Sequence, residues 1–327
     1  MWIFKKIVDL QQYLQQQRNT GASIGFAPTM GALHAGHLSL FEVSRKQNQV
    51  TVCSIFVNPT QFNDPKDLEK YPRPIENDLD MLAEVGCDVL FLPDVREVYP
   101  MEIYPNGTSK WQCPYDFGNL ATVMEGAHRP GHFEGMAQVV ERLLDIVQPE
   151  RLYMGQKDFQ QQTIVKSMLQ QQRTNTMLQQ QRTNTMLQQQ RTNTMLQQQR
   201  TNTILIRCPI VRERDGLAMS SRNIRLSLDD RLLAPTIYQT LLQAKQDKIN
   251  GLTPIQIREK AIETLSKYPE FSIDYLEIVN SKTLTSIENW GEPKSQRTND
   301  FKKNTQEIVL CTTVRLGGVR LLDNIIL

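Results

Sequence analysis

The sequence predicts an α/β protein built on a parallel sheet, followed by a smaller α+β unit. Three observations lead there. From Met1 to about Arg207, short apolar runs alternate with segments of helical period, as in successive βαβ units. Polar clusters recur at the carboxyl ends of those runs, where open parallel sheets place their ligands. After Pro209 the chain changes to a polar, glycine-containing loop, then helical patterning and short strands.

The elements follow in order. Ala22, Ile24, Phe26 and Ala27 read as a buried strand, and Pro28-Thr-Met-Gly-Ala-Leu-His-Ala-Gly-His37 comes directly after it. A helix starting near His34 to Leu38 would aim free N–H groups and its positive dipole end at an anion, while Gly31 and Gly36 permit close approach. His34 and His37 would add imidazole donors to phosphate oxygens. In isolation, an H-x-x-H segment is equally well a tight turn with surface histidines.

Val50 to Phe56 is a second buried strand, with Val57-Asn-Pro-Thr-Gln-Phe62 as its carboxyl-end loop. Ile75 to Val85 has the period of a helix, and Val89 to Leu92 is a strand ended by Pro93. Gly135 to Val147 reads as a helix, and Leu152 to Met154 as a strand that delivers Gly155-Gln-Lys-Asp158.

Residues 168–203 are four identical copies of Met-Leu-Gln-Gln-Gln-Arg-Thr-Asn-Thr. A nonamer spans two and a half helical turns, so successive Met-Leu pairs fall on opposite faces and no continuous apolar stripe results. A polar, exposed insertion is expected, with a helix from about Phe159 to Gln172 joining the strand Ile204 to Cys208 once three copies are removed. The arginines of the array, Arg173, Arg182, Arg191 and Arg200, alternate faces and have no aromatic neighbours, which disfavours a nucleic-acid ladder. Beyond Pro209, Leu228 to Ile249 and Thr253 to Tyr268 have helical patterning, and Ile273–Val279, Glu307–Val314 and Val319–Leu322 read as strands.

Composition narrows the function. With 39% hydrophobic residues, 22% charged residues and a formal net charge of +2, nothing in the 327-residue chain calls for nucleic acid or an anionic membrane as main partner. Cys53, Cys87, Cys113, Cys208 and Cys311 are scattered without C-x-x-C spacing, which points to reduced thiols and no zinc site. The N-terminal apolar patch is too short for a signal peptide, and no run reaches the roughly 18 apolar residues of a bilayer span. A cytoplasmic protein acting on small molecules is expected.

Four polar loops carry candidate chemistry. Beside His34 and His37 stands Asn58-Pro59-Thr60-Gln61, whose amides suit a substrate with hydroxyl and carboxylate groups, although such a segment alone is commonly plain turn chemistry. Gly155, Gln156, Lys157 and Asp158, with Gln160 and Gln161, offer one charge for phosphate and one for a ribose hydroxyl or metal-bound water; a surface ion pair is the plainer alternative. Met219-Ser220-Ser221-Arg222 supplies hydroxyl donors and a guanidinium fit for a leaving pyrophosphate, or a solvated turn.

Together these segments resemble the pantothenate synthetase family, the ATP-dependent pantoate–β-alanine ligases. The resemblance rests on Pro28 to His37, Ile55-Phe-Val-Asn-Pro-Thr-Gln-Phe62, Tyr71-Pro-Arg73, Glu125-Gly-Ala-His-Arg-Pro-Gly-His-Phe133, Gly155-Gln-Lys-Asp-Phe-Gln-Gln161, Asp215-Gly-Leu-Ala-Met-Ser-Ser-Arg-Asn223 and, more weakly, Arg320-Leu-Leu-Asp-Asn324. It implies a Rossmann-like nucleotidyltransferase domain binding ATP and pantoate over 1–209, a C-terminal α+β lid over 210–327, and a homodimer. It also implies condensation of (R)-pantoate with β-alanine to pantothenate, through a pantoyl adenylate, with release of pyrophosphate and AMP. Mg²⁺ would accompany ATP.

By the same resemblance, His37, His34 and Lys157 are catalytic. ATP would be held by Met30, Gly31, Ala32, Leu33, His34, Ala35, Gly36 and His37, by Gly155, Gln156, Lys157 and Asp158, by Val211, and by Met219, Ser220, Ser221 and Arg222. Gln61, Gln161 and Asn58 would bind pantoate or β-alanine. No protein metal ligand is implied, and the array has no family counterpart beyond about one copy. Two rivals remain at this point: another H-x-x-H nucleotidyltransferase, and a non-catalytic protein that binds partners through its glutamine-rich array.

Overall fold

The computed structural model describes residues 1–62, 68–100, 113–183, 202–290 and 307–327, with side chains described as far as Asn175 in the helix that runs to Thr183. Its larger sheet has six parallel strands: β1 Trp2–Phe4, β2 Ile24–Thr29, β3 Val50–Ile55, β4 Val89–Phe91, β5 Arg151–Gly155 and β6 Ile204–Cys208, ordered β1-β4-β3-β2-β5-β6. Side chains alternate across it. Phe26, Val52 and Leu152 enter one core cluster, while Ala27, Cys53 and Tyr153 enter another on the opposite face. Burial on both faces is why the inner strands β2, β3, β4 and β5 read as unbroken apolar runs.

Helices cover both faces. α1 Ile7–Asn19, α4 His132–Val147 and α5 Phe159–Thr183 bury Leu10, Leu144 and Ile164 in the first cluster; α2 Ala35–Gln47 and α3 Ile75–Glu84 bury Phe41 and Leu82 in the second. From β2 the chain winds outward through β3 and β4, then resumes on the other side at β5. The β2/β5 boundary is therefore the topological switch point, with a crevice at the strand carboxyl ends. Among the described residues, no helix is long and apolar enough to cross a membrane.

The C-terminal part has an antiparallel sheet of β7 Phe271–Asn280, β8 Ile308–Leu316 and β9 Val319–Ile326. Helices α6 Leu228–Leu233, α7 Thr236–Ile249 and α8 Pro254–Ser266 precede it, and α7 and α8 share its core through Ile237, Leu241, Ile257 and Leu265. The helix expected over Leu228 to Ile249 is divided at Ala234-Pro235, because proline has no N–H to continue the ladder. A further cluster, including Met124, Phe159, Val309 and Cys311, joins this part to the larger sheet.

One element was not anticipated and one expectation needs correction. The N-terminal apolar patch is an edge strand, β1, paired in parallel with β4. The array is not wholly an exposed insertion: Met168 and Leu169 of its first copy are 0% and 4% exposed in the main core. They extend the stripe begun by Ile164 and Val165 at helical spacing, so the first copy is part of α5, which runs on to Thr183 in the second copy. At the far end, buried Thr203 donates through Oγ1 to Pro149 O at 2.7 Å, and Arg173 donates to Thr203 O at 2.6 Å. The rest of the array, at 184–201, lies outside the described residues.

Candidate active site

The carboxyl end of β2 turns sharply into α2. Thr29 Oγ1 donates to Ser54 O at 2.8 Å and accepts from Gly31 N–H at 3.2 Å. Gly31 and Ala32 then take φ values of +79° and +50°, the second unusual for a residue with a Cβ. The fully buried carboxylate of Asp78, on α3, accepts the amides of Ala32 and Leu33 at 2.9 and 2.7 Å. Asp78 thus compensates the strained turn that aims α2.

His34 caps α2. Its Nδ1 accepts from Gly36 N–H at 3.1 Å, so the neutral ring carries its proton on Nε2. Gly36 is required here, because a Cβ would come within 2.8 Å of His34 Cε1. His37 sits one turn on, its ring centroid 4.1 Å from that of His34, and its inaccessible Nδ1 has no hydrogen-bond partner. Burial, helped by the nearby Lys157 cation, lowers His34 to about 4; burial, then His34 and Lys157, lowers His37 to about 3. Both imidazoles are neutral near pH 7 and act as hydrogen-bonding groups.

The loop after β3 forms the second wall. Asn58 is 1% exposed: its Oδ1 accepts from Tyr99 Oη and Thr60 Oγ1, and its Nδ2 donates to Gly135 O and to Gln61 Oε1, both at 3.2 Å. With both ends of its amide engaged, Asn58 orients Gln61. Gln61 Nε2 also meets Met30 Sδ at 2.9 Å. The Gln61 carbonyl accepts from His132 Nδ1 at 2.9 Å, while His132 Nε2 accepts from Arg129 at 3.2 Å. A guanidinium can only donate, which fixes that tautomer. Burial and the Arg129 cation lower His132 to about 4. Gly135 lets α4 approach this loop; a Cβ there would lie 2.2 Å from Thr60 O.

Lys157 and Asp158 follow β5, with Nζ and Oδ2 3.9 Å apart, and Gln161 lies on the first turn of α5. The fourth wall is the loop through Met219, which is tied to Val211 by a backbone bond of 3.0 Å and braced where Arg231 pairs with Glu213 and Asp215. All four loops surround one cavity at the β2/β5 switch point, with about 230 Å³ of water-accessible space.

Of the residues anticipated from sequence, Met30, His34, Gly36, His37, Asn58, Gln61, Gly155, Lys157, Asp158, Gln161, Val211, Met219, Ser220, Ser221 and Arg222 line this cavity. Gly31, Ala32, Leu33 and Ala35 do not: the first three form the turn held by Thr29 and Asp78, and Ala35 opens α2 on its exposed side. Gln156 does not line it either, since its side chain turns to Asn324 on β9. Sequence reading missed Tyr71, which lines the cavity beside Ser221, and the trough of Met136, Val139, Val140 and Leu143 on α4. Tyr71 stood in a quoted motif; the α4 residues carried only the signal of a core stripe.

The depressed imidazoles have a consequence for stability. Their folded values, about 4, 3 and 4 for His34, His37 and His132, lie below the ordinary 6.5. Below pH about 6.5 the unfolded chain takes up protons that the folded protein refuses, so stability falls as pH drops toward 4. The expected loss between pH 7 and pH 5, read as a lower urea midpoint, is about 2 kcal/mol per ring. His34→Asn, which keeps a capping oxygen, should shrink the drop; an unchanged drop would mean that His34 binds its proton equally well in the folded and unfolded chain.

Comparison with known proteins bears on what this cavity handles. The family profile described as pantoate-beta-alanine ligase matches residues 2–186 and 183–326, its two parts meeting inside the array. A pantothenate synthetase of Porphyromonas gingivalis (strain ATCC BAA-308 / W83) is 39% identical over 325 residues, 99% of each chain. One of Azobacteroides pseudotrichonymphae genomovar. CFP2 is 40% identical over 326 residues, again 99% of each. The crystal structure of pantothenate synthetase from Thermus thermophilus superposes with a TM-score of 0.77 at 34% identity, covering 99% of both chains. A Francisella tularensis pantoate-beta-alanine ligase, complexed with beta-gamma ATP and beta-alanine, gives 0.67 at 31% identity, covering 100% of this chain and 97% of that one.

Proposed function

The chain belongs to the pantoate–β-alanine ligase family, and from that premise we propose how its residues divide the ATP-dependent condensation of pantoate with β-alanine. One observation carries the reading: His34 and His37 at the start of α2 lie on one wall of the cavity, Lys157 lies on another, and an apolar trough runs beside them. In the first step, pantoate carboxylate attacks the α-phosphorus of ATP and pyrophosphate leaves. In the second, the β-alanine amine attacks the acyl carbonyl and AMP leaves. Neither step needs a protein nucleophile, so catalysis consists of positioning and charge stabilisation.

The phosphates would lie along the α2 N-terminus, where His34 Nε2–H and the His37 ring donate and Lys157 supplies the cation. Val211 would meet the adenine through its backbone, and Asp158 the ribose. Ser220, Ser221 and Arg222 would follow the departing pyrophosphate. Gln61 and Gln161 would grip the hydroxyl and carboxylate groups of pantoate, whose methyl groups would rest on the α4 trough. Asn58 acts through Gln61 rather than on substrate.

Mg²⁺ fits this site as an ion carried by phosphate. Among the described residues no three His, Cys, Asp or Glu side chains cluster to hold a metal, and Asp158, with its side chain 52% exposed, is the cavity's carboxylate. The ion would be held by phosphate oxygens and water and would neutralise phosphate charge, leaving Asp158 to the ribose. The proposal extends to a cytoplasmic homodimer with its division near 209/210; sedimentation analysis checks the assembly.

The test is AMP formation. AMP should require both pantoate and β-alanine, and pyrophosphate should appear in single-turnover amount with pantoate alone. AMP formed without either acid would overturn the reading. Deleting three nonamers, which leaves one copy for Met168, Leu169 and the residue before β6, should keep turnover within a few-fold. Lost activity in a folded deletion variant would place the array in the site.

A further inference from the structure

We propose that Asn324, on β9 of the C-terminal sheet, is a positioning residue that sets Lys157. The inference rests on the reading of Lys157 as the phosphate-side cation. Lys157 lies between the end of β5 at Gly155 and the start of α5 at Phe159, where neither the β5–β6 ladder nor the first turn of α5 takes up the carbonyls of residues 156 and 157. Asn324 takes up both. Its Nδ2 donates to Gln156 O at 3.0 Å and to Lys157 O at 2.9 Å, and its Oδ1 accepts from Gln156 Nε2 at 3.1 Å. Both amide protons and the amide oxygen are therefore spent on this one link of chain.

Asn324 is itself held firmly. It is 2% exposed, its N–H donates to Asp323 Oδ1 at 2.7 Å, and Asp323 receives both arms of Arg212 at 2.6 and 2.8 Å. The Arg212 guanidinium rests 3.5 Å from the centroid of the Tyr238 ring on α7, which adds a cation–π contact. A rigid unit of the C-terminal part thus grips the backbone that carries Lys157, while the lysine side chain reaches into the cavity. No other described side chain donates to these two carbonyls. Asn324 touches no reacting atom; its effect passes through the direction it gives to Lys157.

A double-mutant cycle on the full chain tests this, with AMP formation as readout. Asn324→Ala is expected to lower kcat about tenfold with KM for β-alanine within about twofold, because positioning of a phosphate-side cation acts on the transition state. Asn324→Asp, which turns an oxygen toward two carbonyls, should lower it further. In a Lys157→Ala background, Asn324→Ala should add less than about twofold, since the group it positions is gone. Asn324→Ser keeps one donor, should fall between, and replaces Asn324→Ala in the cycle if that variant does not fold. Impaired Lys157→Ala together with full activity of Asn324→Ala, or with its full tenfold loss retained on the Lys157→Ala background, overturns the positioning role alone. A silent Lys157→Ala overturns the reading of Lys157 and the positioning role with it.

Discussion

His37→Ala lowers the rate of AMP formation at least tenfold while leaving the fold in place. The two halves of that expectation have different physical sources. The ring lies on the cavity wall in its neutral form, so under the proposed reading it would stabilise phosphate charge by hydrogen bonding, and a single well-placed donor of this kind is worth about 2.7–4 kcal/mol of transition-state energy elsewhere. Its Nδ1 has no partner in the protein, so truncation breaks no internal hydrogen bond there. A urea midpoint within about 1 kcal/mol of the parent, alongside the kinetic loss, is the expected pair of measurements. Unchanged turnover in the folded variant removes His37 from the mechanism.

Lys157→Ala carries an equally large expected effect, at least tenfold in turnover, because it removes the cation facing the histidine wall. It has a second signature. The Lys157 charge helps to hold both His34 and His37 down, so its removal lets both values rise. The acid limb of the pH–rate profile should move upward in Lys157→Ala and stay put in Lys157→Arg. A loss of rate with no movement of that limb would mean that the lysine does not sense the imidazoles.

The sheet strands β2 to β5 were legible because burial on both faces leaves continuous apolar runs, and the edge strand β6 because Ile204, Leu205 and Ile206 keep its run apolar though partly exposed. β1 was not: Trp2–Phe4 is a three-residue edge strand whose pairing with β4 is visible only in space. The array's first copy departs from an exposed insertion because Met168 and Leu169, inside the helix expected from Phe159 to Gln172, extend the buried stripe begun at Ile164, a continuity that no single nonamer displays. At the candidate site, the four loops were legible from polar residues at strand ends, and 15 of the 20 anticipated residues face the cavity, which marks backbone direction as the harder part. Gly31 faces elsewhere because Thr29 Oγ1 takes its amide, and Ala32 and Leu33 because Asp78, 45 residues from Leu33, claims theirs. Asn58 and Gln61 line the cavity from one motif, yet the Asn58 amide is saturated by Tyr99, Thr60, Gly135 and Gln61, so the same motif supplies one positioning and one substrate-facing amide. Such divisions depend on third partners that no local spacing encodes.

With the phosphates placed as proposed, the pair of imidazoles held at about 4 and 3 would also make nucleotide capture a proton-linked event. A triphosphate brings negative charge against both rings and raises their affinity for protons. In mildly acidic solution, complex formation should therefore draw protons from the buffer. The calorimetric heat would then vary with the buffer's ionisation enthalpy, and affinity would strengthen as the solution is acidified.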